Sequence, residues 1–236
     1  MRFRHTVQGL AVAMVTLTLA AGCGANNTSG GSAQEVSNQS SQSNSSAAAK
    51  QPVLKPTTKQ WSSPPKMMID TNKQYNAVVH TNYGDFTIQL FANQSPVTVN
   101  NFVFLAKNNF YHDDKFFRII QSFMIQTGDP KNNGTGGPGY KFKDELPPKE
   151  KYAPGIVAMA NSGPNTNGSQ FFIGTGQQVD SLNQQPDYTI FGKVVSGMNV
   201  VDKIAAIPVV QNPEMNGEMS KPTKTAYIES VDIQEK

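Results

Sequence analysis

The sequence carries few side chains that could attack a bond or move a proton. Cys23 is the only cysteine, and after the first 70 residues the only histidines are His80 and His112. His80 lies in a run typical of a strand and His112 in a polar turn, which favours a structural and a solvated position respectively. No H-E-x-x-H, G-x-S-x-G or P-loop pattern occurs. Hydrolysis, phosphoryl transfer and redox chemistry therefore lack their usual groups, and we expect neither a cofactor nor a metal ion.

Two contiguous stretches stand out against this background. The first, at residues 116–129, reads FFRIIQSFMIQTGD, and the second, at 155–173, reads GIVAMANSGPNTNGSQFFI. On periodicity alone, Arg118 would be an edge-strand charge or a salt-bridge partner. The aromatic and methionine side chains would be core, and the Gly, Pro and Asn run at 161–168 would be a turn. The joint order of these residues carries the functional interpretation.

Both stretches resemble the signature segments of the cyclophilin family of peptidyl-prolyl isomerases, within a match from about residue 75 to the C-terminus. The resemblance implies a glycine-rich loop at 134–137 beside the pocket. Ser181 stands where many members have tryptophan, which bears on cyclosporin sensitivity, and Tyr188 stands where many have histidine, which bears on substrate preference. The resemblance also implies that the catalytic residue is Arg118. The peptide-binding positions that it implies are Phe123, Met124, Gln126, Ala160, Asn161, Gln170, Phe172, Leu182 and Tyr188.

Such residues suit a reaction in which no covalent bond breaks. The X-Pro amide has a rotational barrier of about 18–20 kcal/mol because the nitrogen lone pair is delocalised into the carbonyl. In the twisted state the nitrogen regains that lone pair, and Arg118 can donate a hydrogen bond to it. Apolar side chains can hold the proline ring, and the amides of Gln126, Asn161 and Gln170 can bind the peptide backbone. We therefore expect proline-containing polypeptides, unfolded or exported, as substrates.

Two other classes of protein compete with the enzyme. A binding module, serving as an extracytoplasmic chaperone or docking surface, would keep the groove but would be expected to lose the arginine, whereas this chain keeps Arg118. A structural surface lipoprotein would leave the polar pocket residues unexplained. The pattern favours the isomerase.

The elements that must position these residues can be read from hydrophobic periodicity. Ser95 can cap a helix that begins at Pro96, and a second helix is predicted at 198–206, ended by Pro208. Too few helices are available for parallel crossovers, so the pattern predicts a mainly β fold, a closed eight-stranded antiparallel barrel capped by two α-helices. The predicted strands lie at residues 75–81, 85–91, 115–121, 123–127, 155–160, 170–173, 188–195 and 226–233.

The N-terminal third follows an export pattern. Arg2, Arg4 and His5 precede an apolar run at 10–21, and the order Leu-Ala-Ala-Gly before Cys23 resembles a bacterial lipobox. An ordinary signal peptide cut nearby is the alternative. Polar composition predicts disorder after Cys23. We predict a signal peptide at 1–22, a lipidated cysteine and disordered linker at 23–70, and an isomerase domain at 71–236.

Charge and cysteine content limit the remaining possibilities. The formal net charge of +3 falls by two when Arg2 and Arg4 leave with the leader, which indicates no nucleic-acid partner. A single cysteine permits no intramolecular disulfide. We expect a monomer held at the extracytoplasmic face of the cell membrane by a lipid anchor on Cys23.

Overall fold

The computed structural model describes residues 52–236, so Cys23 and the predicted signal peptide lie outside the described residues. Within that part of the chain, ten strands, two α-helices and two short 3₁₀ helices follow one another. The α-helices are α1 (Pro96–Lys107) and α2 (Met198–Ala205), and the 3₁₀ helices are Gln177–Gln184 and Pro213–Met215. The strands are β1 (Tyr75–Thr81), β2 (Gly84–Leu90), β3 (Arg118–Ile120), β4 (Met124–Thr127), β5 (Ile156–Met159), β6 (Phe171–Gly174), β7 (Ile190–Ser196), β8 (Val209–Asn212), β9 (Glu218–Pro222) and β10 (Ile228–Glu235).

Eight of these strands form one antiparallel sheet in the order β10-β1-β2-β7-β5-β6-β4-β3. The mainly β fold, the eight strands and the two helices are confirmed, but the closed barrel is wrong. The sheet is a half-barrel whose edges are β10 and β3. The edges approach at one corner, where an isolated bridge joins Lys115 and Tyr227. Beyond that bridge β3 lies beside β9, so the ladder between the two edge strands does not continue.

The hairpin of β8 and β9 is a second, separate sheet that sequence analysis did not predict. Its signal was present in Asn216 and Gly217, both of which have positive φ angles, 53° and 80°. Asn-Gly pairs favour such tight turns because both residues tolerate the left-handed region. This hairpin supplies one wall of the candidate site.

The central strands are buried on both faces, and successive side chains point alternately to two apolar clusters. On β6, Phe171 and Ile173 belong to the main core, which also contains residues of α1 and α2. Phe172 belongs to a smaller outer cluster on the opposite face, together with Met124. Val179 of the 3₁₀ helix Gln177–Gln184 joins this outer cluster. The candidate site is built on the outer cluster.

Helix α1 begins at Pro96 as predicted, with Ser95 at the N-cap position, but the serine side chain does not cap the helix. Its Oγ instead donates to the carbonyl of Ile190 at 2.6 Å. The carboxylate of Glu145 accepts from the backbone nitrogens of Val97 and Thr98 at 3.0 and 2.9 Å. A carboxylate at the N-terminus of a helix also interacts favourably with the positive end of the helix dipole. A residue 50 positions away thus performs the predicted role of Ser95.

Residues 52–70, called the strap here, lie against the domain. The backbone nitrogen of Trp61 donates to Pro138 at 2.8 Å, and the Trp61 ring packs edge-on against Phe104 at 5.0 Å. Asn100 accepts a hydrogen bond from the backbone of Met68. This arrangement differs from the predicted disordered linker because Trp61 contributes apolar surface that the surrounding polar residues lack. The boundary at residue 71 stays a prediction.

None of the helices in residues 52–236 combines the length and the apolar character needed to span a bilayer. The same residues contain no cluster of three or more His, Cys, Asp or Glu side chains suited to a metal ion.

Candidate active site

All ten site residues predicted from the sequence line one open cavity of about 860 Å³. They come from strands β3, β4 and β6, the loops next to the strands and the 3₁₀ helix Gln177–Gln184. The glycine-rich loop at 134–137 lines the same cavity, as predicted. The ten residues are Arg118, Phe123, Met124, Gln126, Ala160, Asn161, Gln170, Phe172, Leu182 and Tyr188.

Strand register explains how distant parts of the chain meet here. Arg118 of β3 lies opposite Gln126 of β4, which lies opposite Phe172 of β6. Phe172 in turn lies opposite Ala158 of β5. Residues that face each other across antiparallel strands project from the same side of the sheet. The guanidinium, the amide and the apolar floor therefore form one cross-strand row on the outer face.

The apolar part of the cavity is a slot between aromatic and aliphatic side chains. Phe172 is 5% exposed and meets the Tyr188 ring edge-on at 5.6 Å. Phe123 and Leu182 are half-buried at its rim. Such surface can take up an apolar ring of modest size, since each buried methylene-sized group contributes about 0.8 kcal/mol.

Tyr152 fixes the backbone at one side of this slot. Its hydroxyl donates to the carbonyl of Tyr188 and accepts from the backbone nitrogen of Tyr188 at 3.0 Å. Burial raises the pKa of Tyr152 to about 12, so the phenol stays neutral and can both donate and accept at neutral pH. Sequence analysis did not identify this residue, because a tyrosine before Ala-Pro-Gly carries no special pattern.

Arg118 is held by two partners. Its Nε and Nη2 donate to the two carboxylate oxygens of Glu218 at 2.6 and 2.8 Å. Its Nη1 donates to Oε1 of Gln126 at 3.1 Å. Arg118 is thus a salt-bridge partner on an edge strand, as periodicity alone indicated, and it also lines the cavity, as the family resemblance implied. The salt bridge is confirmed, and the catalytic role of Arg118 stays a prediction.

The amide network continues from Gln126 to the glycine-rich loop. Gln126 Nε2 donates to Gln170 Oε1 at 3.0 Å, and Gln170 Nε2 donates to the carbonyl of Gly136 at 2.8 Å. A Cβ on Gly136 would lie 1.8 Å from Oδ1 of Asp129, so any larger residue there would displace the Asp129 carboxylate. Asp129 also accepts from the backbone nitrogen of Gly134 at 2.6 Å. The loop and the arginine belong to one hydrogen-bonded unit.

Glu218 is ionised in this unit. Its hydrogen bond with the Arg118 side chain is the largest influence and lowers its pKa below the ordinary glutamate value, against the opposing effect of burial. A bidentate pair between a guanidinium and a carboxylate is among the stronger and more directional contacts in proteins. The orientation of the Arg118 guanidinium is therefore defined by β9.

Two predicted positions make contacts within the protein that sequence did not indicate. Asn161 Nδ2 donates to the carbonyl of Asp187 at 3.0 Å, and its Oδ1 accepts from the backbone nitrogen of Gly163 at 3.2 Å. Ser181, at the position where tryptophan is common, is exposed and donates to the carbonyl of Gln178. The role of Asn161 and the glutamines in binding a peptide backbone stays a prediction.

The two histidines within residues 52–236, His80 and His112, lie apart from the cavity lining. His80 lies between Asp85 and Asp232, at 3.0 and 3.4 Å, on the surface of the sheet. His112 has a side chain that is 58% exposed. A structural position for the first and a solvated position for the second agree with the sequence analysis.

Further residues at or beside the cavity that sequence reasoning did not find include Glu218, Met215 and Gln60. Glu218 and Met215 come from the β8–β9 hairpin region, and Gln60 comes from the strap. Their only sequence signal was the Asn-Gly turn beside Glu218. Each lies far along the chain from the segments that carry the motif.

The fold and the site together define a class of protein. An open apolar slot runs beside a guanidinium of fixed orientation, and the lining described within residues 52–236 contains neither a cysteine nor a histidine. Such a surface can bind a polypeptide and act on it through hydrogen bonds and burial rather than through covalent attack.

Comparison with known proteins identifies the family. The family model for cyclophilin-type peptidyl-prolyl cis-trans isomerases matches residues 77–233. The chain is 42% identical over 159 residues to peptidyl-prolyl cis-trans isomerase-like 3 of Gallus gallus, covering 66% of this chain and 93% of that protein. It is 43% identical over 175 residues to peptidyl-prolyl cis-trans isomerase A of Mycobacterium tuberculosis, covering 66% and 91%.

Solved structures agree. A cyclophilin-type isomerase of Cryptosporidium parvum has a TM-score of 0.60 at 34% identity, covering 68% of this chain and 98% of that one. A second structure of that protein, determined in the presence of the dipeptide Ala-Pro, has a TM-score of 0.59 at 34% identity and covers 67% and 98%. The chain belongs to the cyclophilin family and is a cyclophilin-type peptidyl-prolyl cis-trans isomerase.

Proposed function

We propose that Arg118 accelerates rotation about the X-Pro bond by hydrogen bonding to the prolyl nitrogen once that nitrogen has become pyramidal. The observation that carries the proposal is the cross-strand row, in which the guanidinium lies on the same face and in the same cavity as Phe172. In the planar amide the nitrogen lone pair is delocalised and accepts poorly. A donor aimed at that atom stabilises the twisted state more than either planar isomer, which is the condition for catalysis.

The substrates in this proposal are proline-containing polypeptides. The slot formed by Phe123, Met124, Phe172 and Leu182 would bury the proline ring, and the cavity continues past the glycine-rich loop, where a flanking peptide would lie. The related structure determined with Ala-Pro supports a proline dipeptide as the smallest probe.

The test is a paired peptide assay. Isomerisation of an Ala-Pro peptide is followed for the chain and for Arg118→Ala, with Lys193→Ala, an exposed cation on β7, as the matched control. We expect Arg118→Ala to lower kcat/KM roughly 100-fold, the order found when one preorganised donor is removed from an active site. The control should keep the original rate, and unfolding midpoints should show that all three proteins fold. Equal rates for Arg118→Ala and the original chain would end the assignment.

The cellular role is the second part of the proposal. We infer that the enzyme assists folding of exported proteins while a lipid on Cys23 holds it at the extracytoplasmic face of the cell membrane. The export pattern before Cys23 and the polar composition that follows it support this location. In this proposal the domain acts as a monomer and has no nucleic-acid partner, since little net charge remains after the leader is removed.

A further inference from the structure

The Arg118 guanidinium is clamped by a carboxylate that the family motif does not include. Arg118 and Glu218 are 100 residues apart in sequence, yet Nε and Nη2 reach both oxygens of the carboxylate at 2.6 and 2.8 Å. The pair is only partly exposed, with 25% of the Arg118 side chain and 32% of the Glu218 side chain open to solvent. Partial burial and bidentate geometry separate this contact from an ordinary surface ion pair.

A count of donors shows what the clamp leaves free. A guanidinium has five N–H groups, one on Nε and two on each terminal nitrogen. Glu218 takes the Nε group and one on Nη2, and Gln126 takes one on Nη1. One N–H therefore remains on each terminal nitrogen for a substrate. The clamp fixes the plane of the group without using all its donors.

We propose that Glu218 is a positioning residue for the isomerase reaction, which holds the Arg118 guanidinium in the orientation that presents its two remaining N–H groups to a bound peptide. The inference rests on the proposed role of Arg118.

The hairpin is built to present Glu218 at a fixed place. Asn216 and Gly217 make the turn, and the Asn212 side chain accepts from the backbone nitrogen of Glu214. Ser220, two residues after Glu218, is fully buried, and its side chain adds to the lowering of the Glu218 pKa after the larger effect of Arg118. The Met215 methyl reaches the glycine-rich loop, close to Gly134. The carboxylate therefore projects from a braced strand and not from a free loop.

A carboxylate beside a catalytic arginine also has an opposing effect, because it cancels much of the net positive charge. The group that develops in the twisted amide is a neutral nitrogen with a lone pair, not an anion. Such an acceptor needs a donor in the right direction more than it needs a net cation nearby. The gain from a correctly oriented guanidinium should therefore outweigh the positive charge that Glu218 cancels. Removal of Glu218 should slow the reaction.

The experiment compares Glu218→Ala and Glu218→Gln with Glu214→Gln, which makes the same charge change at an exposed position of the same hairpin. We expect Glu218→Ala to lower kcat about 10-fold, equivalent to about 1.4 kcal/mol, with KM changed less than twofold because the apolar slot is untouched. The kcat of Glu218→Gln should lie between those of Glu218→Ala and the original chain, since the glutamine amide oxygen can accept one N–H. Glu214→Gln should keep the original kcat.

A double-mutant cycle tests whether the effect of Glu218 on the reaction rate depends on Arg118. In an Arg118→Ala background, Glu218→Gln should have no further effect on the residual rate, because no guanidinium remains to be positioned. The ¹⁵N–¹H spectrum of the Arg118 Nε group supplies a readout apart from activity. Its proton should exchange slowly with solvent in the original chain and at least several-fold faster in both Glu218 variants.

Each outcome has one meaning. A drop in Arg118→Ala without a drop in Glu218→Ala would overturn the positioning role and leave the role of Arg118 intact. Equal rates for Arg118→Ala and the original chain would overturn the proposed role of Arg118 instead. An increase in kcat for Glu218→Ala, or an equal loss in both arginine backgrounds, would also contradict the positioning role. If Glu218→Ala does not fold, Glu218→Gln, which preserves the shape of the side chain, decides the matter.

Discussion

At the scale of single residues, the Arg118 side chain is both a structural salt-bridge partner and a candidate functional group. Arg118 is an edge-strand arginine in a salt bridge and also lines the candidate active-site cavity. A partner for a charged side chain restricts its motion and directs its free donors. The salt bridge of Arg118 is therefore compatible with the catalytic role proposed for it, and structural and functional interpretations of a charged residue need not compete.

Asp114 is a buried residue whose ionisation should affect stability near neutral pH. It is fully buried, and neither carboxylate oxygen has a hydrogen-bond partner within residues 52–236. Burial, followed by the nearby charges of Asp129 and Asp113, raises its pKa from 3.8 to about 8. The folded state therefore favours the neutral acid, whereas the unfolded chain ionises near pH 4. Stability should be highest below pH 4 as far as this group is concerned, and it should fall as pH rises toward 8.

The prediction concerns Asp114→Asn. Each unit of pKa shift corresponds to about 1.4 kcal/mol, so the original chain should lose more than 1 kcal/mol of unfolding free energy relative to the variant between pH 5 and pH 8. Urea unfolding at pH 5, 6.5 and 8 measures this. Asp202→Asn, at an exposed position of α2, serves as the control and should follow the original chain. Parallel pH profiles for the original chain and Asp114→Asn would contradict the prediction.

At the scale of elements, the structure shows which local patterns were sufficient. The two helices and the eight strands of the large sheet follow from apolar spacing, which the chain carries locally. The cap of α1 did not, because Ser95 had an acceptor on Ile190 and Glu145 arrived from another part of the chain. Capping is a competition among hydrogen-bond partners, and distant partners are invisible in a short window of sequence.

The contribution of the strap to the stability of the domain can be measured by urea unfolding. Trp61 packs against Phe104 and Phe110, with ring centroids 5.0 and 6.0 Å apart, and its backbone is bonded to Pro138. We expect Trp61→Ala to lower the unfolding free energy by about 2 kcal/mol, less than for a fully buried aromatic residue because the ring is partly exposed. Urea unfolding checks this. Val53→Ala, in the same strap at a residue that is 82% exposed, should change little. Equal midpoints for both variants would mean that the strap does not stabilise the domain.

At the scale of the whole molecule, the proposed anchor and the domain are joined through the polar segment that precedes the strap. The domain spans most of the length of its relatives, and the family match begins only at residue 77. Function at a membrane would then come from residues outside the match. This division lets the location and the chemistry be tested separately.

The location prediction concerns Cys23→Ser. The original chain should remain in the membrane fraction and carry at least two acyl chains by intact-mass measurement, since a single chain holds a protein only marginally. Cys23→Ser should leave the membrane fraction with its isomerase rate unchanged. Ser37→Ala, in the same polar segment, serves as the control and should stay with the membrane. An unmodified Cys23 in membrane-extracted protein would refute the anchor.

The sequence alone determined the features that local chemistry records. Apolar spacing defined the strands and helices. The resemblance of two segments to the family indicated Arg118 and seven pocket positions, and its continuation indicated Leu182 and Tyr188; all ten residues line one cavity. The tertiary structure decided that the sheet stays open, that Glu145 caps α1, that the strap packs on the domain and that Glu218 clamps Arg118. Each of these depends on groups separated by tens of residues along the chain. Which of several polar or apolar partners such a group meets is settled only when the strands are in register and the surfaces are packed.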